Sequence, residues 1–277
     1  VTVTDSAGTT DTETVTITIY GTNDGPEISA ADTSGGVTEA VDLSDDEVNN
    51  IEHKDTGTIT FDDADLTDGH TVSVTSSTTG FLGSFAPVIT DVATGVGDGT
   101  VTWTYTVNDA DIDDLAAGQT IDQVYTVEIK DDEGETVTRD ITITITGTND
   151  IPVISNADTT GSVTEVVDGA AGEGTADLTD TGTMDFDDVD LTDVHDVSFV
   201  PQAGGYLGTF SATESTATTS TTTSGEITWD FTVNDSVVDY LGAGESVEQK
   251  YDVTVTDSAG TTDTETVTIT IYGTNDG

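Results

Sequence analysis

The feature that most constrains this chain is a repeat with a fixed period. Residues Val1–Gly25 recur without a single change as Val253–Gly277, and a diverged copy occupies Val127–Ile151. The copies begin 126 residues apart, and each contains Gly-Thr-Asn-Asp near its end. Self-similarity at a fixed period indicates a tandem array. We therefore expect residues 1–25 to be the last hairpin and outgoing joint of a preceding repeat, followed by two one-domain units at residues 26–151 and 152–277.

Within each unit the dominant pattern is alternation of β-branched or aromatic residues with polar ones. Thr100–Val107 alternates cleanly, and Ile121–Ile129 is followed by a turn and a second alternating run at Thr136–Thr146. Alternation with period two is typical of strands with one buried face. Seven or eight such strands separated by turn residues predict an all-β fold, a tandem pair of antiparallel β-sandwiches.

The same pattern gives several local expectations. We allow a helical turn only at Leu115–Gly118, and we interpret the Ser/Thr-rich run Thr213–Ser224 as an exposed loop. A two-stranded hairpin is marginal on its own. We therefore expect Val1–Tyr20 to be poorly ordered or to borrow a sheet edge, whereas the identical Val253–Tyr272 is packed.

The charge of the chain is extreme. Fifty-five Asp and Glu face four Lys and Arg, for a formal net charge of −51. Repulsion on this scale opposes a compact state unless cations screen or bind it. It also excludes nucleic acid and anionic membrane surfaces as partners, because both require basic patches. No apolar run approaches the roughly 18 residues that span a bilayer, so membrane insertion is not expected.

The acids gather in turns and at strand ends, and this distribution suggests divalent cation sites. Calcium takes six to eight oxygen ligands from carboxylates, amides and backbone carbonyls. A sandwich would place Asp-x-Asp and Asp-x-x-Gly turns at one end of each unit, and the edge-strand Glu and the exit Asn-Asp at the other. Generally acidic surfaces adapted to high salt are the alternative interpretation. The candidate ligands at these places are Asn23, Asp24, Glu39, Asp63, Asp65, Asp131, Asn149, Asp150, Glu165, Asp188, Asp190, Asp257, Asn275 and Asp276.

Other chemistries lack their residues. The chain has no cysteine, which excludes disulfides, thiolate metal sites and cysteine nucleophiles. No nucleophile elbow or phosphate loop is present, so we expect no enzymatic activity. His70 and His195 occupy matching positions and are expected to be strand-edge residues, and Trp103 and Trp229 are expected to belong to the core.

The ordered set of motifs resembles the VCBS repeat of very large bacterial surface adhesins of the RTX type. The motifs are Gly-Thr-Asn-Asp-x-Pro, Val-Thr-Glu, Phe-Asp-Asp-x-Asp, Trp-x-Tyr/Phe-Thr-Val-Asn, Leu-x-Ala-Gly and Tyr-x-Val-x-x-x-Asp, and together they cover nearly the whole chain. The repeat is also similar to cadherin and immunoglobulin-like domains. The resemblance implies a secreted, extracellular protein at the bacterial cell surface, exported by a type I system and involved in cell adhesion and biofilm formation.

The resemblance also implies ligand sets for Ca²⁺. Glu39, Asn149, Asp150, Asp188, Asp190 and Asp257 would share calcium at the central joint, and Asp24, Asp63, Asp65 and Asp131 would do so at the upper joint. The sequence departs from the cadherin pattern at Ala117-Gly118-Gln119, where cadherins carry an acidic Asp-Arg-Glu motif. The second unit retains only Glu245 of that motif.

Two functions follow from this resemblance. The units are expected to be calcium-stiffened structural extenders, with neighbouring repeats of the same chain and calcium ions as partners, and other regions of the parent binding host or microbial glycans. The alternative is that the units themselves recognise glycans or another surface through an exposed loop.

Overall fold

The structure is a computed structural model that describes residues 1–76, 79–93 and 97–275. It opens with a two-stranded hairpin and continues with four four-stranded sheets in the described residues. The hairpin consists of β1 (Thr2–Thr4) and β2 (Thr10–Thr12), which pair only with each other. No helix in the described residues is long and apolar enough to cross a membrane.

The first sandwich contains eight strands and one short helix. One sheet has the order β3-β5-β8-β7 and the other the order β4-β10-β9-β6, and every pairing is antiparallel except that of β4 with β10. A 3-10 turn follows β8 at Asp109–Asp111. The elements are β3 (Glu27–Ala31), β4 (Ser34–Thr38), α1 (Asp45–Val48), β5 (Glu52–Asp62), β6 (His70–Ser76), β7 (Ser84–Asp91), β8 (Gly99–Asn108), β9 (Thr120–Asp131) and β10 (Thr136–Thr146).

The second sandwich repeats this topology. Its sheets have the orders β11-β13-β16-β15 and β12-β18-β17-β14, again with one parallel pair, β12 with β18. A 3-10 turn at Asp235–Val237 follows β16. The strands are β11 (Val153–Ser155), β12 (Thr160–Thr164), β13 (Asp177–Asp187), β14 (Asp196–Pro201), β15 (Thr209–Thr216), β16 (Ser224–Asn234), β17 (Ser246–Thr256) and β18 (Thr262–Tyr272). The predicted all-β sandwich class is confirmed.

Each sandwich has its own core, built from the inward faces of its alternating strands. In the second sandwich Trp229 on β16 is fully buried and stacks on Phe210, with ring centroids 6.0 Å apart. Its Nε1 donates to the backbone oxygen of Asp158 at 2.7 Å. Gly182 on β13 makes room for the indole, because a Cβ there would lie 2.5 Å from the ring. Trp103 repeats these contacts in the first sandwich, so both tryptophans belong to the core as predicted.

Two local expectations were wrong in whole or in part. Leu115–Gly118 is not helical, and the short α-helix lies instead at Asp45–Val48, where Ser44 caps its first turn. The run Thr213–Ser224 is a loop only in part, because β15 extends through Thr216. His70 and His195 stand at or beside the start of edge strands, as predicted, and their side chains are fully buried and hydrogen-bonded.

The two identical 25-residue segments differ in structure. In β18, Val267, Ile269 and Ile271 are completely buried. The corresponding Val15, Ile17 and Ile19 lie outside any strand and are 66%, 81% and 90% exposed. The first segment forms its own small hairpin, in which β1 pairs with β2, rather than borrowing an edge from either sandwich.

Candidate metal centre at the joints between units

The parallel pairing of β4 with β10 builds the first half of the central joint. It lays the end of β4 beside the Gly-Thr-Asn-Asp that follows β10. The backbone N–H of Thr148 donates to Oε2 of Glu39 at 2.6 Å, and the Thr148 hydroxyl donates to the oxygen of Ala40 at 2.6 Å. These residues are 108 to 109 positions apart in sequence, so the contact depends on the completed sheet.

The Asp-x-Asp turn after β13 builds the second half. Oδ1 of Asp188 accepts the backbone N–H of Asp190 at 2.9 Å, and Oδ2 lies 2.7 Å from Nε2 of His195. The hydroxyl of Thr218 lies 3.3 Å from the other ring nitrogen of His195. Burial lowers the pKa of His195, but the Asp188 hydrogen bond and nearby acids outweigh this and leave the pKa raised. The histidine therefore fixes the first aspartate of the turn.

The Asp-x-x-Gly turn between β17 and β18 holds the third element of the site. Oδ1 of Asp257 accepts the backbone N–H of Thr261 at 2.8 Å, and Oδ2 accepts the side-chain amide of Asn149 at 2.9 Å. Burial works to raise the pKa of Asp257, but the hydrogen bonds from Asn149 and Thr261 together leave it lowered. Asp257 is thus a buried carboxylate that stays ionised.

Contacts across the joint connect the two units directly. The backbone N–H of Asp150 donates to Oδ2 of Asp190 at 2.9 Å. The Thr192 hydroxyl donates to the side-chain oxygen of Gln119 at 3.0 Å. The structure therefore brings together Glu39, Asn149, Asp150, Asp188, Asp190 and Asp257, the residues that the resemblance assigns to the central joint.

The upper joint has the same contacts at equivalent positions. The backbone N–H of Asp24 donates to Oδ2 of Asp65 at 2.7 Å, and the Asn23 amide donates to Oδ2 of Asp131 at 3.0 Å. Asp63 accepts the N–H of Asp65, and its other oxygen lies 3.0 Å from His70. Asn23 and Asp24 are exposed here, whereas Asp150 at the central joint is only 5% exposed.

Several carboxylate oxygens at the central joint are buried without a hydrogen-bond donor. Glu39, Asp150, Asp190 and Asp193 each have one such oxygen, and so does the amide of Asn149. Burial is the main cause that raises the pKa of Glu39 to about 8, of Asp150 to about 9 and of Asp190 to about 7, and neighbouring carboxylates add to it. Buried polar atoms are normally satisfied, so these oxygens require a further partner.

Among the described residues, no Lys or Arg side chain lies within 4.0 Å of a carboxylate, and the close acid–base pairs are all His–Asp. Within the described ranges, the joint therefore has no Lys or Arg side chain to neutralise its carboxylates. Its donor set consists of carboxylate and amide oxygens with no sulfur, which suits a hard cation such as calcium. Uncompensated buried oxygens and an all-oxygen donor set together fit the calcium that the resemblance implies.

Clusters of three carboxylates show ligands that the sequence analysis missed. In each cluster one oxygen of every residue lies within 4.8 Å of the others. Asp113, Asp193 and Asp68 complete three of these groups. Comparison of the repeats could have found them, because Asp239 stands 126 residues after Asp113 and Asp193 stands 125 residues after Asp68. These three clusters are Glu39–Asp113–Asp150 and Asp188–Asp193–Asp257 at the central joint, and Asp63–Asp68–Asp131 at the upper joint.

The remaining predicted ligands lie at the far end of the second unit. Oε2 of Glu165 accepts the backbone N–H of Thr274 at 2.7 Å, as Glu39 does with Thr148, and its Oε1 is buried without a partner. Glu245 is exposed and accepts the N–H of Gly242, so it does not join the central cluster. Asn275 directly follows Thr274, and Asp276 lies outside the described residues.

No family model and no curated protein sequence match this chain. Solved structures match at low identity. The Yersinia pseudotuberculosis adhesin InvE is 13% identical, with a TM-score of 0.30, over 88% of this chain and 58% of that one. Cadherin domains 1–4 of protocadherin gamma B7 are 13% identical, with a TM-score of 0.37, over 92% and 52%. CfaE, the adhesive subunit of an enterotoxigenic Escherichia coli fimbria, is 14% identical, with a TM-score of 0.37, over 90% and 83%. The chain thus spans little more than half of the first and second of these structures.

Proposed function

We propose that these units are structural extender repeats of a large bacterial cell-surface adhesin, and that calcium at their joints stiffens the array. The observation that carries the proposal is the set of buried, unpartnered oxygens from Glu39, Asp150 and Asp190. They come from both units and meet where the chain passes from one sandwich to the next. Without a cation, this arrangement places repelling carboxylates in a desolvated site.

Three groups of residues would hold calcium at the central joint. Glu39 and Asp113 belong to the first unit, Asn149 and Asp150 to the connection, and Asp188, Asp190, Asp193 and Asp257 to the second unit. Bound calcium supplies the positive charge that this site lacks. Since the ligands come from two sandwiches and their connection, binding requires one relative placement of the units and disfavours the others.

The chain's own hydrogen bonds prepare this placement. The amide of Asn149 is bonded to Asp257, and the backbone of Asp150 is bonded to Asp190. Neutral N–H donors of Asn149 and Asp150 therefore already hold the connection against the second unit. The carboxylates that would bind calcium are oriented toward one another before it binds, so binding costs little side-chain entropy.

The adhesin role, the extracellular location, type I export and participation in biofilms are part of the same proposal. They are supported by the ordered VCBS-like motifs and by the repeated cadherin-like sandwich topology. A tandem array with an equivalent joint at every period is suited to spanning distance, because each unit adds length without adding a new active site.

Calcium titration of the whole chain at low ionic strength tests the proposal. Because calcium would bind only the folded joint, a hundredfold excess over its dissociation constant should stabilise the fold by about 2.7 kcal/mol. Isothermal calorimetry and thermal melting should both report this, and sodium chloride at matched ionic strength should not reproduce it. If sodium chloride stabilises the chain as well as calcium does, the acids serve salt tolerance and the calcium role is wrong.

A further inference from the structure

An acidic segment of the first unit reaches the central joint from the side. We name residues 41–51, which connect β4 to β5 and contain α1, the acidic strap. Ser44 caps α1 by accepting the N–H of Glu47 at 3.2 Å, and its own N–H donates to the backbone oxygen of Val41. The backbone N–H of Leu43 also points to the Glu47 carboxylate. These contacts fix Glu47 in the first turn of α1.

The strap is bonded to the connection between the units. Oδ2 of Asp42 accepts the backbone N–H of Ile151 at 2.9 Å, across 109 residues of sequence. Leu43 and Asn50 have φ angles of 58° and 46°, a left-handed conformation that non-glycine residues adopt at a cost. Such strain persists only where the surroundings over-determine the backbone, and it clusters at functional sites.

Asp42, Glu47 and Asp150 converge beside the joint. One carboxylate oxygen of each lies within 4.8 Å of the others. Asp150 is 95% buried and its Oδ2 has no hydrogen-bond donor, and Oε2 of Glu47 is also buried without a donor. The Ile151 contact accounts for one oxygen of Asp42. Oε2 of Glu47 and Oδ2 of Asp150 remain without a hydrogen-bond partner in the described protein.

We propose that Asp42, Glu47 and Asp150 form an additional binding position for a hard divalent cation, calcium in the first place. It lies next to the Glu39–Asp113–Asp150 cluster and shares Asp150 with it. The inference rests on the proposed calcium role of the joint and extends it, since the acidic strap becomes part of the joint rather than a solvated loop. Bound at this position, the cation would add a second link between the strap and the connection, besides the hydrogen bond from Ile151 to Asp42.

The repeat supports a built site over a chance cluster. Asp168 and Glu173 stand one period of 126 residues after Asp42 and Glu47. In the second unit Oε2 of Glu173 accepts the N–H of Gly169 at 2.6 Å, so the glutamate there is again held by the backbone of its own loop. Two acids kept at the same offset in loops of otherwise different sequence are expected if both take part in a joint.

The test compares two variants of the full chain, each of which replaces one acidic residue of α1 by its amide. Glu47→Gln removes the charge and keeps the length of the side chain and an oxygen that can face the Leu43 N–H. Asp46→Asn removes the same charge from an exposed neighbour. Native mass spectrometry counts bound calcium ions, and isothermal calorimetry measures their affinities, at low ionic strength.

Glu47→Gln should bind one calcium ion fewer than the unmodified chain, or bind that ion at least about tenfold more weakly, since a third of the carboxylates at the position is lost. Asp46→Asn should keep the full number, with affinities changed by less than about twofold, as expected for a solvated charge. Asp42→Asn should behave like Glu47→Gln.

Equal calcium numbers and affinities in Glu47→Gln and Asp46→Asn would overturn the additional position while leaving the main joint intact. A different failure, in which the unmodified chain binds no calcium at all, would refute the proposed function itself. The two results are distinguishable in the same titration.

Discussion

Neutralising Glu39 should change stability in opposite directions with and without calcium. Glu39 is 5% exposed, one of its oxygens has no donor, and its pKa is raised from 4.5 to about 8 by burial, with Asp113 and Asp190 adding to it. Glu39→Gln retains an oxygen for the Thr148 N–H and removes the charge. In a chelator the substitution should therefore stabilise the first unit.

The magnitude follows from the pKa. At pH 7, about 2.5 pH units above the ordinary pKa of 4.5, the glutamate of the unfolded chain is ionised. Each unit is worth 1.36 kcal/mol, so the free-energy cost of burying Glu39, which the substitution removes, is at most about 3 kcal/mol. Water entering the joint screens part of this, so we expect about 1–2 kcal/mol, or a rise of roughly 3–8 °C in melting temperature. Because the folded pKa is raised, the gain should vanish below about pH 4.5 and grow as the pH rises toward 8.

With calcium the sign should reverse. Glu39→Gln removes a ligand and should weaken calcium binding about a hundredfold or more, equivalent to about 2.7 kcal/mol at saturating calcium, which exceeds the gain of about 1–2 kcal/mol in the chelator. Glu165→Gln is the matched control, because Glu165 makes the same backbone contact with Thr274, but no following Asp-x-Asp turn lies against it in the described chain. Differential scanning calorimetry of both variants in chelator and in calcium checks this. Loss of stability by Glu39→Gln in the chelator would refute the electrostatic reasoning.

Further predictions concern the core, the histidine and the hairpin. Gly182→Ala should destabilise the second sandwich by about 1–3 kcal/mol because its Cβ would meet Trp229, whereas Gly204→Ala, which has open space, should be neutral in chemical denaturation. His195→Phe should lower both calcium affinity and stability. His195→Gln keeps a donor near the Nε2 position and should recover the calcium affinity, as measured by calorimetry. Equal calcium affinities in the two variants would show that the histidine only fills space. Deleting Val1–Tyr20 should leave the melting temperature within about 1 °C, because this segment is exposed throughout, and a larger fall would mean that it packs on a sandwich.

The strands could be predicted from the sequence because their signal is local. Thr136–Thr146 was predicted with the same bounds that the structure gives to β10, and Thr100–Val107 falls within one residue of β8 at each end. Val15, Ile17 and Ile19 show the limit of the same signal. They alternate as well as the identical residues of β18, but a strand also needs neighbours to pair with.

The site could be predicted in part. Asp-x-Asp turns and Asn-Asp exits are recognisable motifs, whereas Asp42 and Glu47 reach the joint through contacts across more than a hundred residues, which no local pattern reveals. The burial of His195 was missed for a similar reason, because its partner Asp188 is on the preceding turn and Thr218 is on a distant loop. Comparing the two units position by position recovers the missed acids, since they recur one period later.

Calcium should fix the two sandwiches relative to each other through the joint at Asn149 and Asp150. Spin labels or fluorophores at exposed Ala86 and Ser211, one on each sandwich, would give the distribution of distances between the units directly. Titrating calcium at constant ionic strength should narrow a broad distribution to a single peak, and a chelator should restore the breadth. A distribution that is equally narrow, or equally broad, with calcium and with chelator would contradict the claim.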